Sequence, residues 1–270
     1  MVVPVTSESR RTTTAQSREL GAELRAIRVS AGLGAAEMAA ELGWSPGKVS
    51  KLEQGWRGAS AWDIGALLGR CGADRPTRDR VMVLAGEQHA GWFVRPHSSV
   101  VLHERSALTI SCYEPMAVPV LLQTEDYARA SSTGVDRLAE RQAVLHGDRA
   151  PDSVFYVREE ALRRQVGGPS TMRDQLMGLV FLSWWPHVTV RLVPSSAGTP
   201  AELDHGSTVL TYGQGAGPLV HTSTDLVTVF LDDERVVRAH EAKHAVLARL
   251  AWDEDRSREA FARLADAFDL

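Results

Sequence analysis

Residues 33–58 constrain this chain more than any other stretch, because they predict two short helices joined by a tight turn. The segment LGAAEMAAELGWSPGKVSKLEQGWRG places one helix at about 35–42 and the next at about 45–52. Gly43 stands between them, where a left-handed turn residue is needed. Pro46 suits the first position of the second helix, since proline has no N–H to leave unpaired.

Helical patterns on both sides extend this pair to five helices. Apolar residues recur at i, i+4, i+7 and i+11 from Leu20, which predicts an upstream helix with one apolar stripe. Downstream, Ser60 is an N-cap candidate for a fourth helix, and a fifth is expected to begin near Pro76. Residues 17–86 are therefore predicted to form an all-α domain of five helices.

The second helix of the pair carries small and basic residues at its open N-terminal end. A helix offered end-first, with cations on its exposed face, suits the major groove of DNA. Lys48 is the main candidate for base contact, because lysine reaches guanine O6 and N7. The predicted DNA-binding residues are Ser45, Pro46, Gly47, Lys48, Ser50, Lys51 and Arg57.

These residues as a set resemble the xenobiotic-response-element (Xre) family of bacterial helix-turn-helix regulators, the fold of phage repressors. The matching positions are Leu24, Ile27, Arg28, Gly32, Leu33, Glu37, Met38, Ala39, Gly43, Ser45, Val49, Ser50, Leu52, Glu53 and Gly55. The resemblance implies that Glu53, which closes the recognition helix, forms a structural ion pair with Arg28 of the first helix. It also implies a regulator that binds double-stranded DNA.

The chain departs from this family at two places. Gly34 and Ala35 stand where the family usually has Ser or Thr followed by a Gln that helps to hold a phosphate. Pro46 and Gly47 stand where polar base-reading residues are common. Base readout must therefore rest mainly on Lys48, with DNA bending or groove width supplying further specificity.

The length of 270 residues predicts more than one domain. We expect a disordered arm at 1–16, the helix-turn-helix domain at 17–86 and a larger domain at 87–270. Residues 1–85 carry net positive charge while the whole chain has a net charge of −4, so a basic head precedes an acidic body. The two cysteines lack CxxC spacing, which argues against disulfide scaffolds and zinc fingers. No apolar run is long enough to cross a bilayer, and a cytoplasmic location is expected.

The larger domain alternates short helices with β-branched segments, which predicts an α+β fold with a mostly antiparallel sheet flanked by helices. Helices are predicted at 99–112, 125–130, 135–145, 159–165, 170–184, 233–250 and 253–268. Strands are predicted at 154–157, 188–193, 207–212, 218–223 and 225–231. The apolar segment 118–123 is either a groove wall or a buried strand, and we favour the strand.

Several of these segments resemble an antitoxin-like domain of unknown function that follows Xre heads in actinobacterial transcriptional regulators. They are Val118–Ala130, Glu140–Leu145, Arg158–Gly168, Met172–Leu176 and Val188–Pro194. The resemblance implies a homodimeric cytoplasmic regulator, modulated by a small cognate partner protein encoded nearby. We expect no enzymatic activity and no cofactor. A near-palindromic operator is expected, because two recognition helices of a dimer bind one helical turn of DNA apart. The predicted dimer surface is made of Val236, Val246, Leu247, Leu250, Phe261, Leu264 and Phe268.

The segment His240–His244 is a literal HExxH and supports a competing hypothesis. Two histidines at i and i+4 share a helix face and can hold zinc, with Glu241 positioning a water, as in a DNA-binding metallopeptidase. Lys243 places a cation beside the metal position, and no distinct third-ligand motif follows. A third hypothesis makes the second domain a small-molecule receptor, which an interior pocket lined by polar groups would favour.

Overall fold

The computed structural model describes residues 13–56, 60–86, 91–131, 138–198, 200, 203–213, 215–224 and 226–268. Contacts divide the chain into two compact units, residues 1–93 with 214–217 and residues 94–213 with 218–270. Each unit has hydrophobic clusters of its own. Within the described ranges, no helix is both long enough and apolar enough to cross a membrane.

Five helices form the N-terminal unit, as the sequence predicts. They are α1 (Ala15–Ser30), α2 (Ala35–Glu41), α3 (Pro46–Glu53), α4 (Ala61–Arg70) and α5 (Arg75–Gly86). A capping box starts α1: Ser17 N–H donates to the Thr14 hydroxyl, and Thr14 N–H donates to the Ser17 hydroxyl. The Ser60 hydroxyl caps α4 by accepting from Asp63 N–H at 3.1 Å. Helix α1 thus begins within the expected arm, of which residues 1–12 lie outside the described residues.

The core of this unit lies where the five helices converge. Each helix turns one apolar face inward, which is the pattern that the sequence shows. The fully buried side chains are Leu24, Met38, Val49, Ile64, Leu67, Leu68 and Val81. Burying a side chain of this size contributes about 1.5–3 kcal/mol, so this cluster holds α3 firmly against the other helices.

Two glycines let α1 lie directly on the backbone at the end of α3. A Cβ built on Gly21 would be 2.5 Å from the carbonyl oxygen of Glu53, which is closer than real Cβ contacts come. A Cβ on Gly55 would collide with the carbonyl oxygen of Ser17, and Gly55 also has a φ of 74°. The distance between α1 and α3 therefore depends on the absence of two side chains.

The C-terminal unit is α+β, as predicted. Its strands are β1 (Trp92–Pro96), β2 (Thr109–Glu114), β3 (Asp152–Arg158), β4 (Val188–Val193), β5 (Ser207–Thr211), β6 (Leu219–Ser223) and β7 (Val227–Leu231). Its helices are α6 (Val100–Arg105), α7 (Glu125–Ala130), α8 (Leu138–Gln142), α9 (Glu159–Arg163), α10 (Pro169–Leu182), α11 (Glu234–Leu250) and α12 (Glu254–Asp266). The division between the two units falls inside β1.

The strands form one seven-stranded sheet in the order β1-β7-β6-β5-β2-β3-β4. The β2–β5, β5–β6 and β6–β7 pairs are antiparallel, whereas β2–β3 and β3–β4 are parallel. Helical connections precede β3 and β4, because parallel neighbours need a crossover. Phe155 and Tyr156, neighbours that point to opposite faces of β3, are both buried, as expected for a strand covered on both faces.

The predicted helix at 99–112 is wrong over its second half. Helix α6 ends at Arg105, and residues 109–114 form β2. The segment TISCYE is rich in β-branched and aromatic residues, and it pairs with β3 on one side and β5 on the other. Strand β1 was also not predicted from the sequence.

The segment 118–123 is buried, but it is not a strand. Leu121 and Leu122 are at most 4% exposed and lie in a 3₁₀ turn, in which Leu122 N–H donates to the Pro119 carbonyl at 2.8 Å. Proline fixes φ and cannot donate to a sheet ladder, so Pro119 favours the turn.

Helices α11 and α12 close the C-terminal unit, as the sequence predicts. The Ser257 hydroxyl of α12 accepts from the backbone N–H of Leu192 in β4 at 3.0 Å. Leu247 and Phe261 are fully buried inside this unit. These two residues therefore do not belong to a dimer surface, which corrects the expectation for them.

Candidate nucleic-acid interface

The turn between α2 and α3 fixes how α3 is presented. Gly43 adopts a φ of 64°, and Trp44 N–H donates to the Ala39 carbonyl at 2.7 Å, which closes the turn. Ser45 is extended at the N-cap position, and Pro46 occupies the first turn of α3. The helix therefore begins where the sequence predicts.

Helix α3 has one buried and one exposed face. Val49 and Leu52 point into the core. The predicted DNA-binding residues Ser45, Pro46, Gly47, Ser50 and Lys51 are all exposed, and they run from the N-cap of α3 to its last turn. Arg57 lies outside the described residues. The structure thus places five of the seven predicted residues, Lys48 included, within α3, and Ser45 at its N-cap.

Lys48 is engaged within the unit in a way that the sequence did not reveal. Its Nζ atom lies 2.7 Å from Oδ1 of Asp63, which stands in the first turn of α4. The same atom is 4.3 Å from the centroid of the Trp44 ring, a cation–π contact. The hydrogen bond from Lys48 holds the pKa of Asp63 below its usual range. Lys48 therefore already has a carboxylate partner, from which it must separate before it contacts another group.

A chain of side-chain hydrogen bonds runs from α3 into the following loop. Gln54 Nε2 donates to the Ser50 hydroxyl at 3.2 Å, and Trp56 Nε1 donates to Gln54 Oε1 at 3.0 Å. The indole ring of Trp56 is partly exposed, and Trp62 in α4 is 88% exposed. Sequence reasoning did not single out Gln54, Trp56 or Trp62.

Arg28 and Glu53 form a bidentate ion pair that joins α1 to α3. The Nε–Oε1 distance is 2.5 Å and the Nη2–Oε2 distance is 2.9 Å, and each side chain is only 9% exposed. Arg28 Nη1 also donates to the Leu33 carbonyl at 2.6 Å, so the guanidinium is well satisfied. This pair is part of the core and does not face solvent.

The HExxH segment does not present two histidine ligands. His244 is 6% exposed, and its Nδ1 and Nε2 atoms lie 2.7 Å from the Ser111 hydroxyl and 3.1 Å from the Ser207 hydroxyl. Burial lowers the pKa of His244 to about 3. Both ring nitrogens are thus occupied, and the described residues contain no group of three His, Cys, Asp or Glu side chains placed to hold a metal. The zinc hypothesis does not fit this geometry.

Two family models match the chain. A model described as "Domain of unknown function (DUF5753)" matches residues 98–263, and one described as "Helix-turn-helix domain" matches residues 19–81. The second match runs from α1 to the core residue Val81 of α5, and so it includes the whole α2–turn–α3 pair. No curated protein matches the chain.

Two solved structures show limited similarity. The clp gene regulator ClgR from C. glutamicum is 28% identical over 28% of this chain and 96% of that chain, with a TM-score of 0.24. TrmBL2, an archaeal chromatin protein, is 10% identical over 82% of this chain and 88% of that chain, with a TM-score of 0.32. Neither value reaches the level that would define the fold of the whole chain.

Proposed function

We propose that this chain, which belongs to the DUF5753 family and carries a helix-turn-helix domain, is a sequence-specific DNA-binding transcriptional regulator of Xre type. The observation that carries the proposal is the presentation of α3. Its N-terminal face is exposed and free of large apolar side chains, while Val49, Leu52 and the Arg28–Glu53 pair anchor the opposite face. Helix α3 enters the major groove, as recognition helices of this motif do.

In this proposal the exposed residues of α3 have different roles. Lys51 is exposed and contacts a phosphate, and Ser45 and Ser50 donate their hydroxyls to phosphates or base edges. Lys48 reaches a base only after it exchanges Asp63 for DNA. Because a lysine head group is a flexible point charge, DNA shape supplies part of the specificity.

We further propose that the regulator acts as a homodimer in the cytoplasm, with residues 17–86 binding DNA and residues 87–270 serving dimerisation and regulation. Two recognition helices then sit about 34 Å apart on one face of the duplex, and the operator is a near-palindrome. The resemblance of the C-terminal domain to antitoxin-like domains supports a small cognate partner protein, encoded nearby, that modulates DNA binding.

A gel-shift titration of the full chain with DNA from its own upstream region tests the proposal. We expect the Lys48→Ala, Lys51→Ala double variant to lose about 1–3 kcal/mol of binding free energy, together with part of the salt dependence. Arg75→Ala is the matched control, because Arg75 is a 92% exposed basic side chain on α5. The control is expected to bind normally. Equal binding by the double variant and the parent protein would contradict the assignment of α3.

A further inference from the structure

The C-terminal unit contains a cavity of about 750 Å³. Its wall is formed by α6, β2, the 3₁₀ turn at 120–122, α8, β5 and β6, all within one unit. This volume is within the range of small-molecule sites, which run from about 300 to 1,000 Å³. The function proposed above does not use this cavity.

One part of the wall holds a buried ion pair that is already satisfied. Glu104 is 1% exposed, and its two carboxylate oxygens accept from Arg141 Nε at 3.0 Å and Arg141 Nη2 at 2.8 Å. A bidentate pair of this kind neutralises both charges locally. Arg141 is therefore not a free cation that would attract an anionic ligand.

Glu114 contributes a second carboxylate to the wall, and this one lacks a partner. In the part of the chain that the structure describes, its side chain makes no hydrogen bond or ion pair. Burial raises the pKa of Glu114 to about 6, although the charges of Arg141 and Lys243 act in the opposite direction. The Lys243 ammonium itself donates to the His205 carbonyl. Glu114 is partly exposed, so a ligand can reach its carboxylate, and a bound cation pairs with a charge that burial disfavours.

His221 places a buried ring in the same wall. It is 4% exposed, and its Nε2 atom has no hydrogen-bond partner among the described residues. Burial, followed by the charge of Arg141, lowers the pKa of His221 well below its usual value, so the ring is neutral at physiological pH. Because the Nε2 atom is itself inaccessible to solvent, it does not open onto the cavity, and His221 contributes a neutral ring to the wall.

The rest of the wall is largely apolar. The apolar lining residues are Val101, Ile110, Pro119, Val120, Leu121 and Leu138. Hydroxyl groups of Thr222, Ser223 and Thr224 stand at another part of the lining. A ligand that fits this wall has an apolar frame together with one charged group.

We propose that this cavity binds a small organic cation, an amine on an apolar frame, with its ammonium group at Glu114. Among the described residues of the lining, the one charge without an ion-pair partner is negative, which selects an amine over a carboxylate of the same shape. The inference does not rest on the proposed DNA binding, and its test uses a different readout.

Calorimetric titration of the full chain with hexylamine, hexan-1-ol and hexanoate at neutral pH tests the proposal. The three probes share one apolar frame and differ only in the head group. We expect hexylamine to bind roughly tenfold tighter than either of the others, as a charge-assisted hydrogen bond predicts. No binding of hexylamine at millimolar concentration, or hexanoate binding as tightly, would overturn the proposal.

Two variants locate the site. Glu114→Gln keeps the side-chain shape and is expected to abolish the preference for the amine while leaving hexan-1-ol unaffected. Glu241→Gln removes a carboxylate from an exposed position of α11 and is expected to change neither the preference for the amine nor the binding of hexan-1-ol. An amine preference that survives in Glu114→Gln would overturn the assignment. If Glu114→Gln does not fold, the comparison of the three probes on the parent protein still tests whether the cavity prefers an amine.

Discussion

The two units each bury an Arg–Glu pair, and the pairs have different surroundings. Arg28–Glu53 lies inside a packed helical core, with both side chains 9% exposed and a further hydrogen bond to the Leu33 carbonyl. Glu104–Arg141 lies in the wall of a cavity, beside the unpaired Glu114. The first pair fixes the position of a helix, whereas the second forms part of a ligand-sized space. Buried charge thus holds two helices together in one unit and lines a cavity in the other.

The strongest test of this contrast removes one partner of the structural pair. Arg28→Ala leaves the Glu53 carboxylate buried and alone, and we expect the N-terminal unit to lose about 3–5 kcal/mol of its free energy of unfolding. Hydrogen exchange at the amides of α1 and α3 in the full chain measures the loss unit by unit.

Two further variants serve as controls for this loss. Arg75→Ala removes an exposed charge and is expected to change stability by less than about 0.5 kcal/mol. The double variant Arg28→Met, Glu53→Leu replaces both charges with apolar groups and is expected to recover most of the loss. Unchanged exchange in Arg28→Ala would show that the pair is not structural.

A fall in pH should destabilise the C-terminal unit more than the N-terminal unit. The pKa of His244 is about 3 in the folded protein, below its value of about 6.5 in the unfolded chain. Its contribution to stability is therefore fully present above the unfolded pKa and is lost as the pH falls from there towards the folded pKa. We expect this residue to lower the stability of the C-terminal unit by about 1.4 kcal/mol per pH unit below about pH 6.5.

Comparison with His244→Gln isolates this contribution, because other titrating groups such as His221 and Glu114 are common to both proteins. The slope of the free energy of unfolding between about pH 6 and 5 should be shallower in the variant. The N-terminal unit has no histidine among its described residues and should respond less over this range. Parallel slopes for parent and variant would contradict the burial of a neutral His244.

The close approach of α1 to α3 predicts a smaller loss that is confined to the N-terminal unit. Gly21→Ala places a Cβ 2.5 Å from the Glu53 carbonyl oxygen, and we expect a cost of about 1–3 kcal/mol. Gly65→Ala in α4 is the matched control, because nothing in the described structure lies within 4 Å of its Cβ. Since alanine favours helices, the control should gain about 0.5–1 kcal/mol. Thermal unfolding should show a loss of stability for Gly21→Ala and a gain for Gly65→Ala. A gain in both variants would refute the close contact.

The smallest expected effect concerns Lys48. Asp63→Asn removes its partner, and we expect DNA affinity to rise by roughly threefold, equivalent to about 0.6 kcal/mol. Glu41→Gln removes one negative charge from the Arg70 pair in the same unit and controls for net charge. Fluorescence anisotropy with a DNA duplex compares the two. Equal gains in both variants would mean that the Lys48–Asp63 pair does not restrain Lys48.

The N-terminal unit was predictable because its signals are local. Gly43, Pro46 and Ser60 mark helix ends within a few residues, and the apolar spacing of each helix identifies its buried face. The contact between Lys48 and Asp63 was not predictable, since it joins two helices through their packing. Neither residue carries a sequence signal for the other.

The C-terminal unit was predictable only in outline. Strand β2 was assigned to a helix because its identity depends on β3 and β5, which are distant in the sequence. The cavity could not be predicted for the same reason, because its lining residues Glu104, Arg141 and His221 come from three elements that are distant in the sequence. The HExxH match is the reverse case. Its local pattern suggests a zinc site, but the two ring nitrogens of His244 are hydrogen-bonded to Ser111 and Ser207.

Targeted DNA cleavage tests most directly whether α3 enters the groove. An iron–EDTA group on Gly47→Cys stands at the exposed tip of α3, where a Cβ meets nothing within 4 Å in the described structure. The same group on Gly69→Cys in α4 is the control, in a chain whose Cys71 is replaced by Ser. The account predicts cleavage inside each half-site of bound DNA from position 47 and little from position 69. Bound protein that cleaves equally from both positions, or only from position 69, would contradict it.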